Sequence, residues 1–298
     1  MVRRVECLAL ISLLGACGGG DGGSGSPPPP VTTVPTGIYF GTGHFMGTQT
    51  INGFTSSFNA SPYVLGFVTS TGRYMLLSYS SGSPNLVRNI DSGSGSALSG
   101  SFTSSDNLNS SMYPAGTPIY SNQGGALSSS FVLKADLSGQ SLNGSISYAG
   151  TQNASLSFPL GYVGGDTMPA TLSAIARTYT GVFSANINTS GYGNLPVLSS
   201  TFTISPAGAL TGTVSCPLTA VSPPPGPQTP CTVTGTVTAR ADLNAYDVSI
   251  SFTNGSSTSF VSGFTGKTAA GLAYYDATSG NLMLGAVAPD NTTFAFSN

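Results

Sequence analysis

The sequence predicts an all-β fold: two small antiparallel β-barrels or sandwiches of about eight strands each, carried on a flexible tether. Three observations predict it. Apolar residues alternate with Ser and Thr at period two along most of the chain. Breaks containing Gly separate these runs at short intervals, at TSTG (69–72), LSGQ (137–140), SPAG (205–208) and ATSG (277–280), which is the spacing of hairpins. No apolar run with helical spacing reaches the roughly 10–12 residues of a helix after residue 16. The 40 Gly and 20 Pro among 298 residues would fit a disordered chain, but 39% hydrophobic residues and a net charge of −2 are the opposite of the disordered regime.

The chain begins MVRRVECLALISLLGAC. Arg3 and Arg4 form a positive segment, and the apolar run Cys7–Leu14 is too short for a membrane-spanning helix, which needs roughly 20 apolar residues. It fits a secretory signal peptide over residues 1–16. Small residues, Gly15 and Ala16, then lead to Cys17. This order resembles the lipobox of bacterial lipoproteins. The resemblance implies cleavage before Cys17, a diacylglycerol on its sulfur and an acylated amine, so that outer-membrane lipid is one partner of the chain. Gly18, rather than Asp, directly after Cys17 implies the outer membrane rather than retention in the inner one. Residues 17–35 are then the lipid anchor and tether. Gly18–Ser26 is flexible and Pro27–Pro30 stiff, and Gly18–Pro35 fully extended reaches roughly 56 Å at polyproline rise.

Residues 36–162 read as the first β-domain. It opens with PTGIYFGT and continues through RYMLLSYS, SSFVLKADL and SLNGSISY. In SSFVLKADL, Phe131, Leu133 and Leu137 oppose Val132, Lys134 and Asp136. Residues 163–176 read as a connector with one helical turn. The second β-domain, 177–298, opens with TYTGVFSA, which repeats the T-G-apolar-apolar start of the first. STFTIS follows. In CTVTGTVTA, Cys231, Val233, Val237 and Ala239 share one face and four threonines the other. In AYDVSISFT, Tyr246, Val248, Ile250 and Phe252 alternate with Asp247, Ser249 and Ser251. Cys216 and Cys231 bracket PLTAVSPPPGPQTP and are expected to form a disulfide closing a Pro-rich hairpin loop. No His or third Cys stands near them, so no metal site is expected there.

The chemical inventory is sparse. Charged residues are 6% of the chain, against a usual share near 25%. There is no basic patch, so no nucleic-acid partner is expected. The one histidine, His44, lies in GTGHFMG with no orienting partner in sequence, and reads as a surface residue. No G-x-S-x-G elbow and no D-x-D-x-D-G calcium loop occur. Asp91, Asp106, Asp136, Asp166, Asp242, Asp247, Asp276 and Asp290 are scattered, and most read as turn or solvated residues. Tyr74, Tyr79, Tyr274 and Tyr275 read as core packing with the hydroxyl at a rim. No catalytic residue, metal or cofactor is expected.

A lipobox, a Gly/Pro tether and two eight-strand β-units resemble transferrin-binding protein B and related surface lipoproteins, whose lobes carry small barrels. GTVSC…CTVTGTV, NAYDVSISF and FTGKTAAGLAYYD resemble uncharacterised proteobacterial lipoproteins of the same style. The F-x-G-x-x-A-x-E-x-G-G run of the transferrin binders has no counterpart here, where the only Glu is Glu6, so no functional residue carries over. The expectation is a non-catalytic, lipid-anchored protein of the outer membrane, at the cell surface or on the periplasmic face. It is read as an adhesin, receptor or accessory binding lipoprotein for a protein or glycan ligand. The alternatives are a structural periplasmic envelope lipoprotein, an integral outer-membrane barrel, whose strands need about 9–11 residues, or an enzyme.

Overall fold

Alternation decides the architecture. In AYDVSISFT the side chains of Tyr246, Val248, Ile250 and Phe252 are buried and those of Asp247, Ser249 and Ser251 half-buried, the mark of a strand with one face on a core. The computed structural model describes residues 36–51, 54–79, 87–98, 101–104, 108–110, 134–136, 141–148, 152–163, 169–186, 198–216, 229–253, 266–289 and 292–298. The expected signal peptide, Cys17 and the tether lie outside the described residues, as do the 217–228 loop and much of the SSFVLKADL run.

Eleven strands make one sheet. They are β1 (Gly37–Thr42), β2 (His44–Ile51), β3 (Phe54–Ala60), β4 (Tyr63–Val68), β5 (Arg73–Tyr79), β6 (Val87–Leu98), β7 (Ser101–Ser104), β8 (Leu108–Ser110), β9 (Lys134–Asp136), β10 (Ser141–Tyr148) and β11 (Gln152–Tyr162). The sheet runs β1-β4-β5-β6-β7-β9-β10-β11 and curls until β11 pairs β1 at Tyr39↔Tyr162. That path holds eight strands, in line with the expectation of about eight. The count exceeds eight because the hairpin β2–β3 hangs on β11 and the short β8 lies beside β6. Tyr39, Phe45, Tyr74, Leu76, Phe102, Ile146, Leu156 and Phe158 fill the concave side.

After helix α1 (Leu172–Ile175) come β12 (Thr178–Asn186), β13 (Leu198–Ile204), β14 (Ala209–Cys216), β15 (Thr229–Ala239), β16 (Tyr246–Phe252), β17 (Thr268–Asp276), β18 (Asn281–Val287) and β19 (Thr293–Ser297). These eight form a closed antiparallel barrel in sequence order, sealed by β12 against β19. An eight-strand barrel is just wide enough for side chains to fill, and here aromatic rings fill it. The Phe183 ring lies 5.6 Å from Phe252 and 6.0 Å from Phe294, and Phe202 meets Phe296 edge-on at 4.7 Å. α1 packs onto this core through the fully buried Ile175. The Tyr179 and Tyr246 hydroxyls donate to the Ile175 and Thr171 carbonyls, at 2.9 and 3.0 Å.

Both sheets belong to one compact unit, Thr32–Asn298, and they share an apolar layer. Ile38, Leu65, Phe67, Met75, Leu77 and Ile90 from the convex side of the first sheet pack with Leu243, Ala245, Leu272 and Ala295 from the outside of the barrel. The strands at this layer are buried on both faces: five of the six residues of YVLGFV, six of the seven of RYMLLSY and all five of TFAFS. Two-sided burial calls for continuous apolar runs rather than alternating ones. Gly285 permits the approach, since a Cβ there would lie 2.5 Å from Leu77 Cδ2.

Candidate functional site

With one side of the barrel committed to the first sheet, its remaining outer wall shows what the sequence reserves for solvent. The inward residues of β12–β17 are apolar, so the alternate positions face out. These are Thr and Ser to an unusual degree. Thr178 lies opposite Thr203, Thr203 opposite Thr211, Thr211 opposite Thr234, Thr234 opposite Ser251 and Ser251 opposite Thr268. One row of six hydroxyl residues therefore crosses six neighbouring strands. A second row, Thr180, Thr201, Thr213 and Thr232, runs beside it. Strand geometry spaces the rows roughly 7 Å apart and the residues within a row roughly 4.8 Å apart. Thr178, Thr180, Thr203, Thr211, Thr213 and Thr268 are exposed and the others half-buried. Thr178 Oγ1 hydrogen-bonds Thr203 Oγ1 at 2.9 Å, and Ser251 Oγ hydrogen-bonds Thr268 Oγ1 at 2.7 Å. The threonine face of CTVTGTVTA is legible in the sequence. The register that extends it over six strands is not.

Farther along β15 and β16, where Thr238 lies opposite Asp247, there is an ion-pair network. Arg240 donates to both oxygens of Asp247 at 2.9 and 2.8 Å, and to Asp242 through Nε at 2.9 Å and the guanidinium end at 3.0 Å. The Ser70 amide and hydroxyl, from the turn between β4 and β5, donate to Asp242 at 2.9 and 2.7 Å. Burial by itself raises the Asp242 carboxyl, but the hydrogen bonds from Arg240 and Ser70 and the Arg240 charge outweigh it and hold the group well below the usual carboxylate range. These two carboxylates are thus brought together as partners of one cation, a grouping that the sequence reading left scattered.

The other residues singled out from sequence take structural places. Asp276 caps its turn, accepting from Ser279 Oγ at 2.6 Å and the Thr278 amide at 2.9 Å, and those bonds lower its carboxyl. Asp91 is fully buried in β6 and accepts a hydrogen bond from Asn89 Nδ2. Tyr74, Tyr79 and Tyr275 are buried and Tyr274 half-buried. Burial and the neighbouring Tyr162 push the Tyr39 hydroxyl up to about 12. His44 begins β2 opposite Ser157. Cys231 is buried inside the barrel and disulfide-bonded. Cys216 ends β14 opposite Thr229, and its side chain lies outside those described. Among the described residues no three His, Cys, Asp or Glu side chains gather as metal ligands, and no helix is long and apolar enough to cross a membrane.

No protein-family model matches the chain, and no curated protein matches it. Ten chains of solved structures align with it, among them the two that follow. One is a protein of unknown function from the DUF3598 family of Nostoc punctiforme PCC 73102, 10% identical over 88% of this chain and 94% of that one, with a TM-score of 0.23. The other is the vaccine antigen transferrin binding protein B of Haemophilus parasuis Hp5, in a mutant form, 12% identical over 91% of this chain and 77% of that one, with a TM-score of 0.26. Likenesses this weak carry no conclusion about function.

Proposed function

We propose that the chain is a non-catalytic binding protein, lipid-anchored to the outer membrane through Cys17, that holds an uncharged glycan against the hydroxyl lattice of its barrel. The carrying observation is the row Thr178–Thr203–Thr211–Thr234–Ser251–Thr268. Each hydroxyl both donates and accepts, which suits sugar hydroxyls, and each threonine adds a methyl group for the apolar face of a sugar ring. A lattice without charge gives little electrostatic steering, so binding should depend weakly on salt.

The test is a screen of neutral polysaccharides by titration calorimetry, followed by a Thr211→Val, Thr234→Val double variant, which removes two hydroxyls and preserves shape. A ligand should bind the unsubstituted protein nearly equally in low and high salt. The double variant should lose roughly tenfold or more in affinity with its melting temperature unchanged. If no neutral polysaccharide binds, or binding survives the double substitution, the lattice is not the site.

A further inference from the structure

We infer that the outer edge of β3 is a self-docking strand, pairing antiparallel with β3 of a second copy of this chain. The hairpin β2–β3 lies outside the ring of paired strands and is held by β2 on β11. Among the described residues, β3 pairs with β2 alone. An antiparallel strand with one neighbour turns alternate N–H and C=O groups away from it, and such an edge is a template for another strand.

Edges that must stay single carry Lys, Pro, an inward charge, a bulge or very short length. The sequence of β3, FTSSFNA, has no charge and no proline. Its register with β2 runs without a shift from Phe45↔Ala60 to Ile51↔Phe54. It is seven residues long, whereas β8, which pairs only with β6 among the described residues, has three. Self-pairing follows from its composition and symmetry. An antiparallel pair of β3 strands centred on Ser57 sets Phe54 against Ala60, Thr55 against Asn59 and Ser56 against Phe58, with Ser57 on the twofold axis. The twofold makes the contact isologous, so it closes as a dimer, and no like charges meet across it. A strand without charge has nothing to select an acidic or basic peptide instead. The Ser57 and Asn59 side chains are exposed, so substitutions there leave the core alone.

Three variants of the full chain in mild detergent test this. Ser57→Cys should give an oxidised dimer whose linkage maps to position 57 and which the unsubstituted chain lacks. Ser57→Lys and Ser57→Glu should each weaken dimerisation by roughly tenfold or more in sedimentation velocity, because like charges face each other across the axis. Mixing those two variants should restore the dimer, which general misfolding cannot do. A chain that stays monomeric at its highest soluble concentration, a Ser57→Cys variant without the cross-link, or a Lys/Glu mixture without recovery would each overturn the proposal.

Discussion

Arg240 makes two of the three ion pairs among the described residues. Its side chain is 13% exposed, and it neutralises Asp242 and Asp247 together, so that removing a carboxylate would leave a largely desolvated cation short of a partner. The second cation near Asp247 matters little: Arg73 reaches it only at 3.8 Å, with 51% and 41% of the two side chains exposed. Asp242 carries the link to the first sheet through Ser70. Its carboxyl is held down in the folded state. The stability it contributes is therefore complete above its unfolded pKa of about 3.9 and is lost as pH falls from there through the folded value. Asp242→Asn should cost about 1–2 kcal/mol at neutral pH and flatten the stability profile below about pH 4. Chemical denaturation of both proteins between neutral pH and pH 3 measures this. A parallel loss in both proteins across that range would show that Asp242 is not the linked group.

The distinction between alternating and continuous apolar runs governs the elements. Strands with one buried face, such as β15 and β16, alternate; β4, β5 and β19 are buried on both faces and do not. Gly285 is the small residue where β18 meets β5 and β6: a Cβ there would also press Met75 Sδ at 3.1 Å and Ile90 Cδ1 at 3.4 Å. Gly285→Val should destabilise the protein by about 1–3 kcal/mol through overpacking, whereas Gly280→Val, at a turn where nothing lies within 4 Å, should cost mainly the strain of its positive φ. Equal melting losses accompanied by unchanged packing of β18 on β5 would refute the wedge argument. All-β architecture, the strands of the second half and the glycine turns at Gly72, Gly208 and Gly280, each with positive φ, were legible because period two and turn chemistry are local. The run YVLGFV, the pairing of Arg240 with two aspartates and the register of the threonine rows were not. Each depends on which strands become neighbours, and that is decided by packing across the whole chain.

At the scale of the molecule, the barrel is a cylinder with two unlike sides. Leu272, Tyr274, Met283, Val287 and Ala295 face the first sheet, while β12–β16 present hydroxyls outward. Among the described residues of the barrel wall, one side is therefore consumed by folding and the other faces solvent. The same division bears on cooperativity. A half whose outer wall carries a layer of Leu, Met, Tyr and Ala cannot leave its neighbour without wetting that layer, at roughly 25 cal/mol per Å² of apolar surface. Ser184 Oγ adds a cross-sheet hydrogen bond to the Val87 carbonyl at 3.2 Å, and Ser70 adds its two to Asp242. Residues 36–298 should accordingly unfold in one transition, with calorimetric and van't Hoff enthalpies equal. A segment of residues 177–298 produced alone should associate or aggregate through its bare apolar side, and a segment of residues 36–163 added in trans should suppress that. Two resolved calorimetric transitions, or a barrel segment that stays monomeric and melts at the temperature of the full chain, would show instead that the shared layer contributes no coupling between the two sheets.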